Sequence, residues 1–467
     1  VRRVARVKDV VEEALRLVKP SQEEVNAVNE VAKAITEMLS GEVRSLGLEG
    51  EVTLQGSIAH NTWLPGDRDI DVFIILPRNE RYIDMVKSGE LIRELANALS
   101  RRGINWVMNY AQHPYLTLAY NGFNVDVVPC IRMSMGEKPI TAADRSPLHT
   151  LYLRDRLRGL EDDVRLLKLM MKRIGVYGAE VKVQGFSGYL AELLTIAYGG
   201  FLNVVKAASG WVPFRVRISL TAHGGVRFNA PLVVIDPIDP NRNVAAAVSL
   251  DSMATFIAAS RRLLKYPSMV FFRDVAPVPR PSVTAPTLVT APTLVIYGDY
   301  PRGYVEDIVW GQLRSIASSI WNIVKRDGFK PVDIGLYTPQ DRYVVIMITV
   351  EEAELPPLEE HVGPPVWTEE SDVFISKYID SGDVIGPFIR GGRWVVIRAR
   401  RVRSIKDSVL RGLKAVGSGV VRDSLLRGEV KLISSVAQVS ELPPEIRDSA
   451  LVFMSKRPSW LTKPEPG

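Results

Sequence analysis

A chain of 467 residues, 46% hydrophobic and 24% charged, is long enough for roughly two to four globular domains, and its single cysteine, Cys130, excludes an internal disulfide framework or a cysteine-rich zinc site. No apolar run approaches the roughly 20 residues of a membrane span, and the N-terminal VRRVARVKDVVEEALRLVK is amphipathic and lacks a signal-peptide core, so a cytoplasmic protein without a membrane partner is expected. The net charge of +6 is informative only where it clusters, at Arg215/Arg217 and Arg398/Arg400/Arg401/Arg403, as a solvated surface or a nucleic-acid contact.

In chain order, PSQEEVNAVNEVAKAITEMLS predicts a helix capped by Ser21 and Glu24, with Val25, Val28, Ala32, Ile35 and Leu39 on its buried face. VFIIL after Asp71 predicts a strand, and a helix follows near Tyr82 to Arg102. YLTLAY and FNVDVVP alternate on either side of Asn121-Gly122, the signature of a tight hairpin. Residues 1 to about 149 thus read as an α+β unit. From about 150 to 265 the chain turns helical: LEDDVRLLKLMMKRIG buries Leu160, Val164, Leu167 and Met171, and SGYLAELLTIAYGGFL is apolar nearly all round. Residues 275 to 295 hold a proline-rich linker and a tandem TAPTLV repeat. TLVIYG, a helix at about Tyr304 to Asp327, and RYVVIMITV predict a second α+β pattern, which the four prolines of ELPPLEEHVGPPVW interrupt. GRWVVIRARRV reads as a last strand before a helical C-terminus.

The chemistry concentrates in LQGSIAHNTWLPGDRDIDVFIIL. Alternate residues of a strand share a face, so Asp69 and Asp71 project together, their Cα atoms roughly 6.5 to 7 Å apart, while Ile70 and Val72 turn inward. Asp67 lies on the same face and is an alternative to Asp69. Two neighbouring carboxylates without a local cation repel, and oxygen-only ligands favour Mg²⁺, with Mn²⁺ also suited. In FNVDVV the polar positions are Asn124 and Asp126, so a strand laid beside the first would bring Asp126 as a third carboxylate for two metal ions. Upstream, Gly56 allows close approach and Ser57 is expected to cap a short helix over SIAHNTW, whose free N–H groups would receive phosphate. The chemistry expected of this set is in-line attack of a hydroxyl on the α-phosphate of a nucleoside triphosphate. Further on, Arg158, Arg165, Lys168 and Lys172 recur at helical spacing as one basic face, a solvated surface or a phosphate contact.

Gly-Ser, a gap, two acids separated by one residue and a later acid resemble the polymerase-β nucleotidyltransferase superfamily. The stretches GSIAHNTWLPG, DIDVFI, HPY, VDVVPC, DRSPLH, VRLLK, YGAEVKVQGFSGYL, VIDPIDPNRNVAAAVS and GPPVW, over about residues 55 to 370, resemble the archaeal, class I CCA-adding enzymes. The resemblance implies an α+β multidomain chain: a polymerase-β-type head with a mixed sheet (1–149), a helical neck (150–270), an α+β body (271–350 and 396–467) and a tail (351–395). It puts Asp69, Asp71 and Asp126 on the metal-binding carboxylates and Ser57, beside Gly56, on the triphosphate-contacting serine. His149, Lys168 and Tyr177 fall on positions contacting the nucleotide's phosphates and sugar, and Arg242 on one associated with the incoming base. His60 stands where the family commonly carries Arg, and Asp69 where it often carries Glu; a neutral imidazole brings less charge to a triphosphate. Also implied are CTP and ATP as substrates, tRNA held by its acceptor stem and T arm, and a homodimer.

Overall fold

A computed structural model describes residues 6–110, 113–221, 226–273, 291–455, 458 and 460–461. The chain divides into two compact units, Val1–Ala276 with Pro458–Gly467, and Pro277–Arg457.

The first unit begins with helices α1 (Val7–Val18) and α2 (Gln22–Ser45). Ser21 accepts the Glu24 amide and Glu24 reaches back to the Ser21 amide, the expected capping box. Then follow β1 (Glu51–Gln55), the single turn α3 (Gly56–Ala59), β2 (Asp69–Leu76), α4 (Glu80–Ser88), α5 (Glu90–Arg101), β3 (Trp106–Tyr110), β4 (Pro114–Tyr120) and β5 (Phe123–Ile131). The helix expected near Tyr82 to Arg102 is two helices. Gly89 separates them at φ +72°, and a Cβ there would stand 2.5 Å from Pro114 Cγ, so the break is tied to a close approach of β4. The Asn121-Gly122 hairpin forms with both residues at positive φ and Tyr120 facing Phe123.

The five-stranded sheet runs β1-β2-β5-β4-β3; only β2 and β5 are parallel, and the other pairs are antiparallel. Ile70, Val72, Ile74 and Leu76 of β2 with Val125 and Val127 of β5 pack into one core with Ile35 and Leu39 of α2 and Leu95 and Leu99 of α5. Side-chain alternation sends Asp69, Asp71 and Asp126 to the opposite face.

The same unit continues as α6 (Ser146–Arg156), α7 (Glu161–Arg173), α8 (Gly188–Tyr198), α9 (Phe201–Ala208), β6 (Val216–Ser219), β7 (Leu232–Ile235) and α10 (Leu250–Lys265). Their shared core gathers Leu167, Met170 and Met171 of α7, Leu190, Leu193 and Leu194 of α8, Phe256 of α10 and the C-terminal Trp460. The parallel β6–β7 pair, unforeseen in a segment read as helical, delivers the chain to Asp236. Among the described residues no single helix is long and apolar enough to cross a membrane; α8 and α9 reach that composition only jointly, bent by 92°.

The second unit holds β8 (Thr293–Asp299), α11 (Glu306–Arg326), β9 (Pro331–Tyr337), β10 (Tyr343–Val350), β11 (Leu358–Pro365), α12 (Glu370–Tyr378), β12 (Val384–Arg390), β13 (Arg393–Ala399), α13 (Ile405–Lys414), α14 (Val420–Arg427), β14 (Glu429–Ile433), α15 (Val436–Val439) and α16 (Pro444–Ser455). Its sheets are β14-β8-β10-β9 and β11-β13-β12. The strand expected to be last, β13, is followed by β14, a short segment stabilised by antiparallel pairing on β8. The proline-rich stretch forms β11. It tolerates Pro364 and Pro365 because it is an edge strand with an irregular register between Val362 and Pro365. The linker expected at 275–295 and the first TAPTLV copy lie outside the described residues up to 290; the second copy runs into β8. Of the arginine cluster, Arg398 and Arg400 both pair with Glu359, at 2.9 and 3.2 Å, so these two are tied within the unit.

Candidate active site

The parallel register of β2 and β5 sets Asp71 directly beside Asp126, and Asp69 beside Asn124. Asn124 Nδ2 donates to Asp69 Oδ1 at 3.1 Å, and Thr117 of β4 donates to Asp126 Oδ1 at 2.5 Å. Among the described residues no lysine or arginine forms an ion pair with any of the three aspartates. Burial, then the charges of Asp126 and Asp69, push Asp71 up to about 6, and His60 and Lys168 counter this only in part. Asp126 is raised as well, by burial and Asp69 against the hydrogen bond from Thr117. Asp67 stands before the strand, where it accepts the Leu64 amide and pairs with Lys172 at 3.1 Å.

The turn from β1 into α3 leans on this pair. Gln55 faces Asp71 across the antiparallel ladder, Gly56 has φ +64°, and a Cβ on Gly56 would stand 2.2 Å from Asp71 Oδ2. Glycine is needed there for both reasons. Ser57, expected as the helix cap, lies inside α3. The N-cap is Gln55, without a side-chain cap, and the helix ends at Ala59, because the hydroxyl one residue past the glycine turn falls too late in the chain to cap it.

The carboxylate face suits a divalent cation. Its donors are all oxygen, Asp71 is pressed toward protonation by burial and its acidic neighbours, and among the described residues no lysine or arginine pairs with them, His60 and Lys168 offsetting the effect only in part. Among the described residues no three ligating side chains already converge as a closed cage.

Around this face the helical half supplies cations, but not as a solvated stripe. Arg158 precedes α7 and is exposed. Arg165 and Lys168 are 4% and 3% exposed. Arg165 binds the carbonyls of Trp63 and Asn61 at 3.0 and 2.6 Å and the Asp162 carboxylate, so α7 clasps the loop after α3. Lys168 Nζ donates to both the carbonyl and the hydroxyl of Thr62 at 3.1 Å, with Glu192 of α8 3.8 Å away. Glu192 is a buried hub: Thr62 donates to it at 2.6 Å and His60 Nδ1 lies at 3.1 Å. Its burial is outweighed by Lys168, His60 and Thr62, which hold the carboxyl below its usual range, while burial pulls Lys168 below its own.

His60, expected on the triphosphate, turns inward. Its second nitrogen meets Thr150 at 3.0 Å, so both ring nitrogens are engaged within the fold. The imidazole is held between Glu192 and Thr150. Tyr177 sits under the Lys172 ammonium, 5.4 Å from its ring centroid, and its hydroxyl lies beside Gly188.

A second buried hub organises His149 and Arg242. Asp236, at the exit of β7, is fully buried. It accepts from Arg242 Nη1 at 2.7 Å, from the Ile238 amide at 2.9 Å and from His149 Nε2 at 3.0 Å, with the Tyr189 hydroxyl at 3.4 Å. Burial alone would raise it; His149, the Ile238 amide and Arg242 bring it down to about 2. His149 stacks on Tyr189, ring centroids 4.2 Å apart, and burial holds it below the usual histidine value against the pull of Asp236. Neither Glu192 nor Asp236 was singled out from the sequence. A lone acid inside the apolar SGYLAELLTIAY was the available signal for the first, and the acid beside a proline turn in VIDPIDPNRN for the second.

Comparison with known proteins agrees over most of the chain. A family model described as a nucleotidyltransferase domain matches residues 37–149, one described as the second domain of tRNA nucleotidyltransferase matches 162–273, and one described as the C-terminal domain of CCA-adding enzyme matches 290–430. The CCA-adding enzyme of Pyrobaculum islandicum is 45% identical over 90% of this chain and 97% of its own length. That of Pyrobaculum neutrophilum is 46% identical over 87% and 94%, and that of Methanosarcina barkeri 37% over 78% and 80%. With these identities and coverages added to a sheet that pairs Asp71 with Asp126, the chain belongs to the CCA-adding enzyme family.

Proposed function

We propose that this protein is a template-independent tRNA nucleotidyltransferase that adds and repairs the terminal C, C and A of tRNA from CTP and ATP, releasing pyrophosphate at each step. The observation that carries the reading is the side-by-side register of Asp71 and Asp126, with Asp69 on the same face and, among the described residues, no lysine or arginine paired to them. In this reading the three carboxylates hold two Mg²⁺ ions, with Mn²⁺ as a substitute. Held there by Asp69, Asp71 and Asp126, such ions would supply positive charge to the attacking tRNA 3′-hydroxyl and to the departing pyrophosphate.

The chain's own groups do the rest. Gly56 lets the turn into α3, which carries Ser57, close against Asp71, and this brings the serine hydroxyl toward the triphosphate. Lys168, fixed by Thr62 and Glu192, supplies a buried positive charge beside the carboxylates, and Tyr177 borders it. His60 acts from within, as the strut joining α3 to Glu192 and Thr150. Arg242 faces the incoming base from the Asp236 hub, where unmatched hydrogen-bonding groups would reject the wrong nucleotide. The head (1–149) and neck (150–270) carry the chemistry, together with 271–276 and 458–467, which fall in the first compact unit and not, as expected, with the body; the rest of the body (277–350 and 396–457) and the tail (351–395) grip the acceptor stem and T arm by shape and backbone, with an affinity that falls as salt rises. A homodimer follows from the family resemblance; light scattering returning the mass of one chain would overturn it.

The experiment supplies a tRNA transcript lacking CCA with each labelled triphosphate, singly and in pairs, with Mg²⁺, beside Asp71→Asn. Two C from CTP, then one A once ATP is present, and none from the variant, is the expected result. Long A tracts would reassign the chain to a poly(A)-type activity, and tRNA binding without incorporation would leave an RNA-binding scaffold.

A further inference from the structure

The Asp236 hub dictates which hydrogen bonds His149 can offer a nucleotide. An ionised carboxylate only accepts hydrogen bonds, and both its oxygens face His149 Nε2, at 3.1 and 3.0 Å. Nε2 must therefore carry the proton. Burial, the largest influence, disfavours a second proton on the ring; Asp236 favours one, but burial with the guanidiniums of Arg242 and Arg145 outweighs it, so the imidazole stays below its usual value. Nδ1 is left with a lone pair. Among the described residues it has no hydrogen-bond partner, while the ring's face is fixed by the stack on Tyr189. A bare nitrogen repels phosphate oxygens, which are themselves acceptors, and attracts an O–H or N–H.

We propose that Asp236 is a positioning residue that locks His149 as an obligate hydrogen-bond acceptor, so that His149 reads a donor group on the nucleotide, a ribose hydroxyl or an exocyclic amine, and makes no contact with the triphosphate. This rests on the nucleotidyltransferase reading above. Both candidate donors distinguish natural substrates: the 2′-hydroxyl is absent from deoxynucleotides, and the amine is present on C and A but absent from U, with G offering a carbonyl at the equivalent edge. Arg242 is bound to the same carboxylate, so one buried charge sets a donor and an acceptor together.

The test has two independent readouts. In histidine-labelled full-length protein, ¹⁵N spectra should show His149 with Nε2 protonated and Nδ1 bare near neutral pH; the opposite tautomer, or a doubly protonated ring, overturns the proposal whether or not the protein is active. Asp236→Asn, whose amide can donate to a bare Nε2, should admit the other tautomer, and an unchanged spectrum would remove Asp236 from the role. The second readout is a ratio of kcat/KM values within one preparation, so that loss of folded protein cancels. His149→Phe keeps a ring on Tyr189 but loses the acceptor. If the ribose hydroxyl is read, the CTP to dCTP ratio falls about tenfold, the worth of one ordinary hydrogen bond. If the amine is read, the CTP to UTP ratio falls instead. If neither ratio moves while C and A are still incorporated, the proposal fails and the nucleotidyltransferase reading stands. A wild-type protein that incorporates nothing would fail that reading, with the spectra still deciding the tautomer.

Discussion

Asp71 and Asp236 are the same residue in the same compact unit, both drawn away from water, and the fold treats them in opposite ways. Asp71 is surrounded by its own kind and pushed up to about 6; Asp236 is surrounded by donors and brought down to about 2. Burial acts on both in one direction, so the difference is made entirely by neighbours. A carboxylate left unsatisfied on an open face is poised to take a cation from solution, whereas one saturated inside the core fixes the side chains that saturate it. The contrast separates groups that meet the ligand from groups that shape the site.

The largest test of this contrast is activity. Asp71→Asn should lower nucleotide incorporation by at least about 10³-fold, since charge stabilisation at the reacting phosphate is the main source of rate in such chemistry. In EDTA the same variant should unfold at a higher temperature than wild type, because about 3 kcal/mol of penalty on a buried charge is removed at neutral pH. Asp236→Leu should move stability the other way, by about 3 kcal/mol, through the unpaired charges of a broken buried network; equal signs for the two variants in calorimetry would break the comparison.

The pH dependence sharpens it. Asp71 has its folded-state value above its unfolded one, so the penalty on its ionised form is absent below about pH 4 and complete above about pH 6, and the metal-free protein loses stability across that window. Asp236 has its value depressed, so its contribution of about 2 kcal/mol is present above pH 4 and is lost as pH falls toward 2. Urea unfolding in EDTA should show the wild-type decline between pH 4 and 6, and that decline should be clearly smaller in Asp71→Asn, where of the central pair only Asp126, raised by burial and Asp69, remains to contribute. The smallest effect is expected at Lys172→Met, which breaks a half-exposed ion pair with Asp67 worth less than about 1 kcal/mol; a larger loss of stability would show that this pair belongs with the buried hubs.

Both acids of the central pair were legible because two alternating strands each put their carboxylate opposite the apolar face, and the Asn121-Gly122 turn fixed where the second strand began. Their parallel pairing was not, since register across the intervening α4, α5, β3 and β4 is set by the shared core and leaves no local mark. Periodicity placed Arg165 and Lys168 correctly on one helix face and could not say that the face closes on a loop, because a solvated stripe and a clasp have the same spacing. Ser57 misled for a related reason: a Gly-Ser pair before a helix looks like a cap until the glycine is needed for its approach to Asp71. The hubs at Glu192 and Asp236 depend on partners 24 to 132 residues away or gathered around a turn, and only packing brings those together.

The clasp on the loop from His60 to Trp63 has a consequence for motion. Arg165, Lys168 and Glu192 hold that loop from α7 and α8 through buried polar contacts, so the sheet and these helices cannot slide past one another without stripping several hydrogen bonds at once in a place water does not reach. Opening there would be close to unfolding in cost, and amide exchange along residues 60–63 should be as slow as in the strands themselves. Whatever the protein moves between successive additions, the seam between its carboxylate face and its buried lysine is a fixed joint.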